Sequence, residues 1–270
     1  MLPITVFLSQ AMQQPLRAVA KGYSLHVTGQ VPADRLLALA AKFEATFQTS
    51  ASYSLRQSRR RREVANYFFF AHPRRGSTSF DWWLLSTEGS PPKGVNETWR
   101  DASKQGQRLG FQDRFEAVQL PAKGGAPRWT WRLSQRYYAE LAGAISAATR
   151  KRGGDDELAQ LLHGIHRMPG FRGVRGQVAA LRRHTVAEWR RAREQPECPH
   201  LPPRVQGFMR LSTVKTVPAE LVIDRVLKGL DPIDFEWRRN VEPAASEIPD
   251  AGDADPVGIP FDPQEPTNDA

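Results

Sequence analysis

Alternating and helically spaced apolar residues in the first third of the chain predict a strand, a helix and two further strands. YSLHVTG (residues 23–29) alternates and is rich in β-forming residues. In VPADRLLALAAKFEATFQ (31–48), Pro32 suits a first helical turn and apolar residues recur at helical spacing. VANYFFFA (64–71) and SFDWWLLS (79–86) have strand composition. This order predicts an α+β fold with a ferredoxin-like or RRM-like sheet.

The middle of the chain has weaker patterning until one clear strand. Residues 87–127 are rich in Gly, Pro and Lys, so we expect loops with short elements there. PRWTWRLS (127–134) then alternates, with its tryptophans on one face and Arg128, Thr130 and Arg132 on the other. This pattern predicts a half-buried strand with a cationic outer face.

Three helical segments rich in arginine follow. Ser134 can cap QRYYAELAGAISAATRKR, which ends before two glycines, and ELAQLLHGIHRM begins at Asp155 or Asp156. In GVRGQVAALRRHTVAEWRRARE, arginines flank an apolar stripe and predict an amphipathic, strongly basic helix. The stripe consists of Val174, Val178, Leu181, Thr185 and Trp189.

The chain then returns to mixed structure and ends in an acidic tail. After the proline-rich QPECPHLPPR, VQGFMRLSTV (205–214) has the pattern of a strand and PAELVIDRVLKGL (218–230) that of a helix. We therefore expect four parts. They are a ferredoxin-like α+β half (1–133), an arginine-rich helical subdomain (134–195), a return α+β segment (196–240) and a disordered acidic tail (241–270).

The net charge of +9 hides a division between the body and the tail. Residues 241–270 hold eight of the 29 acidic residues and no Lys or Arg, which leaves 21 acidic against 38 basic residues in 1–240, a net charge of +17. A body this basic suggests a polyanionic partner, most often nucleic acid; an anionic membrane surface is the other candidate. The tail is more typical of a solubilising segment than of a competitor for the basic face or a recruiting segment.

Cysteine content and hydropathy narrow the class of protein. Cys198 is the only cysteine, which excludes an intrachain disulfide and zinc sites built on paired cysteines, and fits a reducing cytoplasm. No apolar run approaches the roughly 20 residues of a membrane span, and the N-terminus lacks the basic flank of a signal peptide. We expect a cytoplasmic protein with no metal, no cofactor and no membrane partner.

Arginine clusters are the main candidates for binding. In PGFRGVRGQ, glycines surround Arg172 and Arg175 at a helix start, where backbone amides can approach a phosphate. The spacing is not that of a dinucleotide-binding loop, and the alternative is a helix–helix turn with a solvated basic face. Further arginines lie at both ends of the aromatic stretch 64–71. The candidate nucleic-acid-binding residues are Arg59, Arg60, Arg61, Arg62, Arg74, Arg75, Arg172, Arg175, Arg182, Arg183, Arg190 and Arg191.

The aromatic residues and histidines have weaker claims to function. Alternation places Tyr67 and Phe69 on one face and Phe68 and Phe70 on the other, so at least one face must pack inward, and a core role is favoured over base stacking. Among the histidines, His72 beside two arginines is the candidate for acid–base catalysis of RNA cleavage. For any single histidine here, a non-catalytic role is the more common one.

The order of these segments resembles that of the repeat-cleaving RNA endonucleases of type IV CRISPR systems. The matching pieces are YSLHVTG with the helix that follows it, and FRGVRGQVAALRRHTVAEWRRARE, which corresponds to an arginine-rich finger. The resemblance implies binding of a CRISPR repeat hairpin, metal-independent cleavage, and retention of the guide RNA in an effector complex with other subunits. The layout is also similar to proteins of plasmids and integrative elements. We therefore favour RNA over DNA as the partner. The alternatives are a non-enzymatic DNA-binding accessory of plasmid replication, transfer or partition, and a regulatory protein that docks on an acidic protein surface.

Overall fold

The computed structural model describes residues 2–5, 7–92, 94–95, 97–122, 124–193, 197–201 and 214–233. In chain order these residues form β1 Pro3–Thr5, α1 Leu8–Ala20, β2 Leu25–Pro32, a 3-10 turn Ala33–Arg35, α2 Leu36–Phe47, α3 Tyr53–Arg61, β3 Tyr67–Pro73, β4 Ser79–Ser86, β5 Arg100–Asp101, β6 Gly110–Phe111, β7 Phe115–Ala122, β8 Gly125–Leu133, α4 Gln135–Arg150, α5 Asp155–His166, α6 Arg172–Ala192, β9 Thr216–Pro218 and α7 Ala219–Leu227. The predicted α+β class is confirmed.

A four-stranded antiparallel sheet of order β3-β4-β2-β5 lies at the centre of the fold. The connectivity β2-α2-β3-β4 matches the first half of a β-α-β-β-α-β arrangement, with the short α3 added between α2 and β3. In the second half the match ends, because β5 has two residues and follows β4 without an intervening helix in the described part of the chain.

Both faces of this sheet are covered, so the aromatic residues of β3 belong to two cores. Phe70 and Trp83 stack at a ring separation of 4.7 Å on the face that packs against β6, β7 and β8. Phe69 lies on the other face, 5.3 Å from Phe43 of α2. Tyr67, Phe69 and Phe70 are buried, which confirms the predicted core role and leaves neither face of β3 open for base stacking.

The arginine-rich helices form as predicted: α6 docks on β8, α4 packs against α6, and α5 packs against α4. The Ser134 hydroxyl caps α4 by accepting a hydrogen bond from the Tyr137 amide at 3.3 Å. The whole predicted apolar stripe of α6 is buried. Thr130 is buried too, because α6 covers that side of β8, so the prediction of a solvent-facing cationic face is wrong at this residue.

Three of the longer elements were missed by the sequence patterns, and so were the three-residue strands β1 and β9. β7 lies in the stretch expected to be loops, where Glu116 and Pro121 disturb its alternation, and it pairs with β8 over most of its length. Helix α1 contains Pro15, which argues against a helix by propensity, and burial of its apolar side overrides that preference. Helix α3 carries the arginine run and was not recognised, because none of its residues is buried to mark an apolar stripe.

The C-terminal segment completes the core of the first half. β9 pairs with β1 in antiparallel register, and Val222 of α7 belongs to the same core cluster as Ile4 and Phe43. The helix predicted at 218–230 is confirmed. The strand predicted at 205–214 lies outside the described residues except for Val214, and the acidic tail lies wholly outside them.

Candidate nucleic-acid interface

Helix α6 presents three arginines on its solvent face. Arg172, Arg183 and Arg190 are exposed and are separated by whole numbers of helical turns, so they form a row about 27 Å long opposite the buried stripe. Arg183 and Arg190 have no hydrogen bond or ion pair within the described residues. We call this row the α6 stripe.

Other arginines around α6 hold the helical subdomain together. Glu188 is buried and forms ion pairs with Arg150, at 2.8 Å, and with Arg191. Burial by itself would raise the pKa of Glu188, but these two arginines lower it overall. Arg193 pairs with Asp155 at 3.4 Å and lies over the Trp189 ring. Arg191, a predicted binding residue, therefore has a structural role.

The glycine-rich entry to α6 is used for packing. The Gly173 amide donates to the Thr130 hydroxyl at 3.3 Å, and a Cβ at Gly173 would lie 2.5 Å from the Trp131 carbonyl oxygen. Arg172 donates to the Pro121 carbonyl at 2.6 Å. The prediction that backbone amides here can approach a phosphate is wrong at Gly173, because its amide is hydrogen-bonded to strand β8.

The remaining predicted binding residues of α6 are less accessible than the stripe. Arg175 and Arg182 are half-buried at the edge of the packed face. Burial lowers the pKa of Arg175. Each has an interaction within the protein. Their side chains therefore lie beside the α6 stripe, on the flank of the helix and not on its outermost face.

The first arginine run occupies the last turn of α3, where cations interact favourably with the helix dipole. Arg59 anchors the helix by donating to the Phe47 carbonyl and to the Gln48 side chain. Arg60, Arg61 and Arg62 are exposed and have no hydrogen bond or ion pair from their side chains in the part of the chain that is described. We call these three residues the α3 cluster.

A third cationic site lies at the turn between β3 and β4. Arg74 forms ion pairs with Asp81 at 3.4 Å and Asp113 at 3.2 Å, so its charge is compensated. Arg75, at the tip of the turn, is exposed and has no such partner among the described residues. Gln112 and Asp113 have φ of 51° and 56°, a left-handed conformation that is costly for residues other than glycine. This strained turn places the Asp113 carboxylate against the Arg74 guanidinium group.

His72 lies inside the protein. Its ring is buried directly opposite Asp81 on β4, with the Phe111 ring 6.0 Å away. Burial lowers the pKa of His72 to about 4, so the ring is neutral at pH 7. Its Nδ1 atom has no hydrogen-bond partner within the described residues. The catalytic role of His72 stays a prediction, and it would require movement that brings the ring to the surface.

The exposed candidate arginines lie on three separate elements, α3, the turn between β3 and β4, and α6. No hydrogen bond, ion pair or ring contact among the described residues joins the α3 cluster to the α6 stripe. The His163 ring contacts Arg167 at 3.2 Å, and the described residues contain no group of three or more acidic, His or Cys side chains that could hold a metal. Within the same residues, no helix is both long and apolar enough to cross a membrane.

One exposed aromatic residue near the arginines was missed by the sequence patterns. Tyr53, at the start of α3, is 57% exposed. Ser52, which caps α3 through its hydroxyl, is the sequence signal that could have identified this helix.

The chain was compared with protein-family models, with curated proteins and with solved structures, and no match was found in any of the three.

Proposed function

We propose that this protein binds RNA through its exposed arginines and takes part in metal-independent processing of CRISPR RNA, retaining the product as a guide. The observation that carries the proposal is a set of exposed arginine side chains without partners in the described residues, on a body of net charge +17. Such side chains can release counterions by contacting phosphates. They are Arg60, Arg61, Arg62, Arg75, Arg183 and Arg190.

The packing of α6 supports recognition of a phosphate backbone by shape. One side of the helix is buried along its length against β8 and α4, and the α6 stripe lies on the side that faces outward. A helix held in this way can lie across a groove and contact the phosphates on either side. Double-stranded RNA is recognised largely by such backbone contacts, because side chains cannot read its deep, narrow major groove.

Binding of a labelled CRISPR repeat hairpin in EDTA tests the proposal directly. We expect binding at moderate salt and cleavage that the chelator leaves unchanged. Absence of binding would refute the proposal, and binding without cleavage would leave an RNA-binding module. Duplex DNA should compete poorly. If it displaces the hairpin, the protein is instead a DNA-binding accessory of the kind that plasmid functions require.

Replacing both Arg183 and Arg190 by alanine should weaken hairpin binding at least tenfold and lower the salt slope of log K by about 2, because each lost phosphate contact removes about one unit. The measurement is a titration over a range of salt concentrations. Arg191→Ala is the control on the same helix, because Arg191 is paired with the buried Glu188. It should change thermal stability and leave the salt slope nearly unaltered. Equal slopes in all three proteins would contradict a role for the α6 stripe.

A further inference from the structure

Helix α3 is unusual in having no buried side chain. It has nine residues, Tyr53–Arg61, and every one of them is partly or fully exposed. Helices shorter than about 12 residues are marginal in water unless an apolar face packs against the protein. The stability of this helix therefore depends on polar contacts rather than on a buried apolar face.

The contacts that hold α3 are few and lie mainly on one side. Ser52 caps its start, the Asn66 side chain donates to the Arg56 carbonyl at 3.2 Å, and Arg59 reaches the end of α2. These contacts tether the helix without enclosing it. Segments with few buried contacts open at low free-energy cost. The unbound protein should therefore exchange the amide hydrogens of α3 rapidly.

The outward side of α3 combines an aromatic ring with cations. Tyr53, Gln57, Arg60 and Arg61 are spaced at i, i+4, i+7 and i+8, which places them on one face over about 12 Å. Tyr53 is 57% exposed, and both arginines are exposed without partners in the described residues. An aromatic platform beside arginines is the arrangement that binds unpaired nucleotides, with bases on the ring and phosphates on the guanidinium groups.

From this arrangement we infer that α3 is a site for single-stranded RNA flanking the hairpin, and that the helix becomes ordered when the strand binds. The inference rests on the proposed hairpin binding by the α6 stripe. Tyr53 stacks on an unpaired base, while Arg60 and Arg61 hold the adjoining phosphates. The RNA strand provides the contacts that the protein core does not provide to the helix. These contacts offset the free-energy cost of ordering the helix on binding.

The distribution of apolar side chains distinguishes RNA from a membrane surface. Leu55, 40% exposed, is the other large apolar residue of α3 and lies on nearly the opposite face from Tyr53. An interfacial membrane helix needs its apolar residues on one face and its cations on the other. Here the ring and two arginines share a face, which suits a nucleotide strand.

The test compares one RNA hairpin with and without a single-stranded extension of about six nucleotides. We expect the extension to tighten binding about tenfold and to slow amide exchange across residues 53–61. Tyr53→Ala, which removes no charge, should remove this gain and leave the affinity for the bare hairpin unchanged. Arg60→Ala/Arg61→Ala should lower the affinity for the extended RNA more than the affinity for the bare hairpin. Tyr53→Phe should retain the gain, since stacking needs only the ring. Leu55→Ala, on another face of the helix, is the matched control.

The outcomes separate the two proposals. If neither RNA binds, the proposed function fails. If the bare hairpin binds and the extension adds neither affinity nor protection, the single-strand site is refuted while hairpin binding survives. Protection of α3 by anionic vesicles, without protection by the extended RNA, would also overturn the inference and assign the helix to a membrane surface.

Discussion

Alanine at Gly173 should destabilise the protein by about 3 kcal/mol, which corresponds to a fall of about 6–12 °C in melting temperature for a domain of this size. A methyl group there would lie 2.5 Å from the Trp131 carbonyl oxygen, which is a backbone atom and cannot rotate away. Helix α6 must shift from β8, which weakens the paired hydrogen bonds between Gln177 and the Leu133 backbone at 2.6 and 3.1 Å. Thermal denaturation measures the loss.

Gly176→Ala is the matched control for this prediction, because it makes the same chemical change in the same helix. Among the described residues, no atom outside its own stretch of helix lies within 4 Å of the position that its Cβ would occupy. Alanine is favoured over glycine in a helix interior by about 1 kcal/mol, so this variant should be more stable than the parent. If the two variants have the same melting temperature, Gly173 is not needed for the close packing of α6 on β8.

Acid should destabilise the protein through His72 by about 3 kcal/mol between pH 6.5 and about 4. Burial lowers the pKa of this imidazole from 6.5 to about 4 in the folded state. The unfolded chain therefore takes up the proton first as the pH falls, and stability decreases through this window and levels off below it. Denaturant unfolding at several pH values measures the slope.

Two further buried groups shape the same curve. Burial lowers the pKa of His26, so its loss of stability on acidification has the same sign. Burial raises the pKa of Asp81, so the folded state binds that proton more readily and gains stability at the acid end of the range. The slope between pH 7 and 5 is therefore the clearest measure of the histidines.

His72→Leu separates the buried imidazole from every other source of pH dependence. The variant should lose most of the slope between pH 6.5 and 4. It should be at least as stable at pH 7, because the Nδ1 atom it removes has no partner in the described residues. An unchanged slope would mean that the ring is accessible to water. If the folded variant also loses RNA cleavage while it still binds the hairpin, His72 contacts the reacting RNA.

Sequence pattern predicted the local elements best where one face of a regular element is buried. The stripe from Val174 to Trp189 marked α6, and the strand composition of residues 79–86 marked β4 with both of its ends. The pattern failed at α1, where Pro15 opposes the helix, and at α3, where no apolar stripe exists. Periodicity reports burial, so an element that buries nothing leaves no periodic signal.

The α+β class, the basic body and the positions of most helices could be predicted from the amino-acid sequence, because each depends on composition or on neighbours a few residues apart. Which arginines are free depends on tertiary contacts. Arg150 meets Glu188, and Arg74 meets Asp113, across separations of 38 and 39 residues that no local pattern records. The tertiary structure also places Gly173 against β8 and buries His72. Charge is a property of the chain, but its availability to a ligand depends on which opposite charges the fold brings within reach.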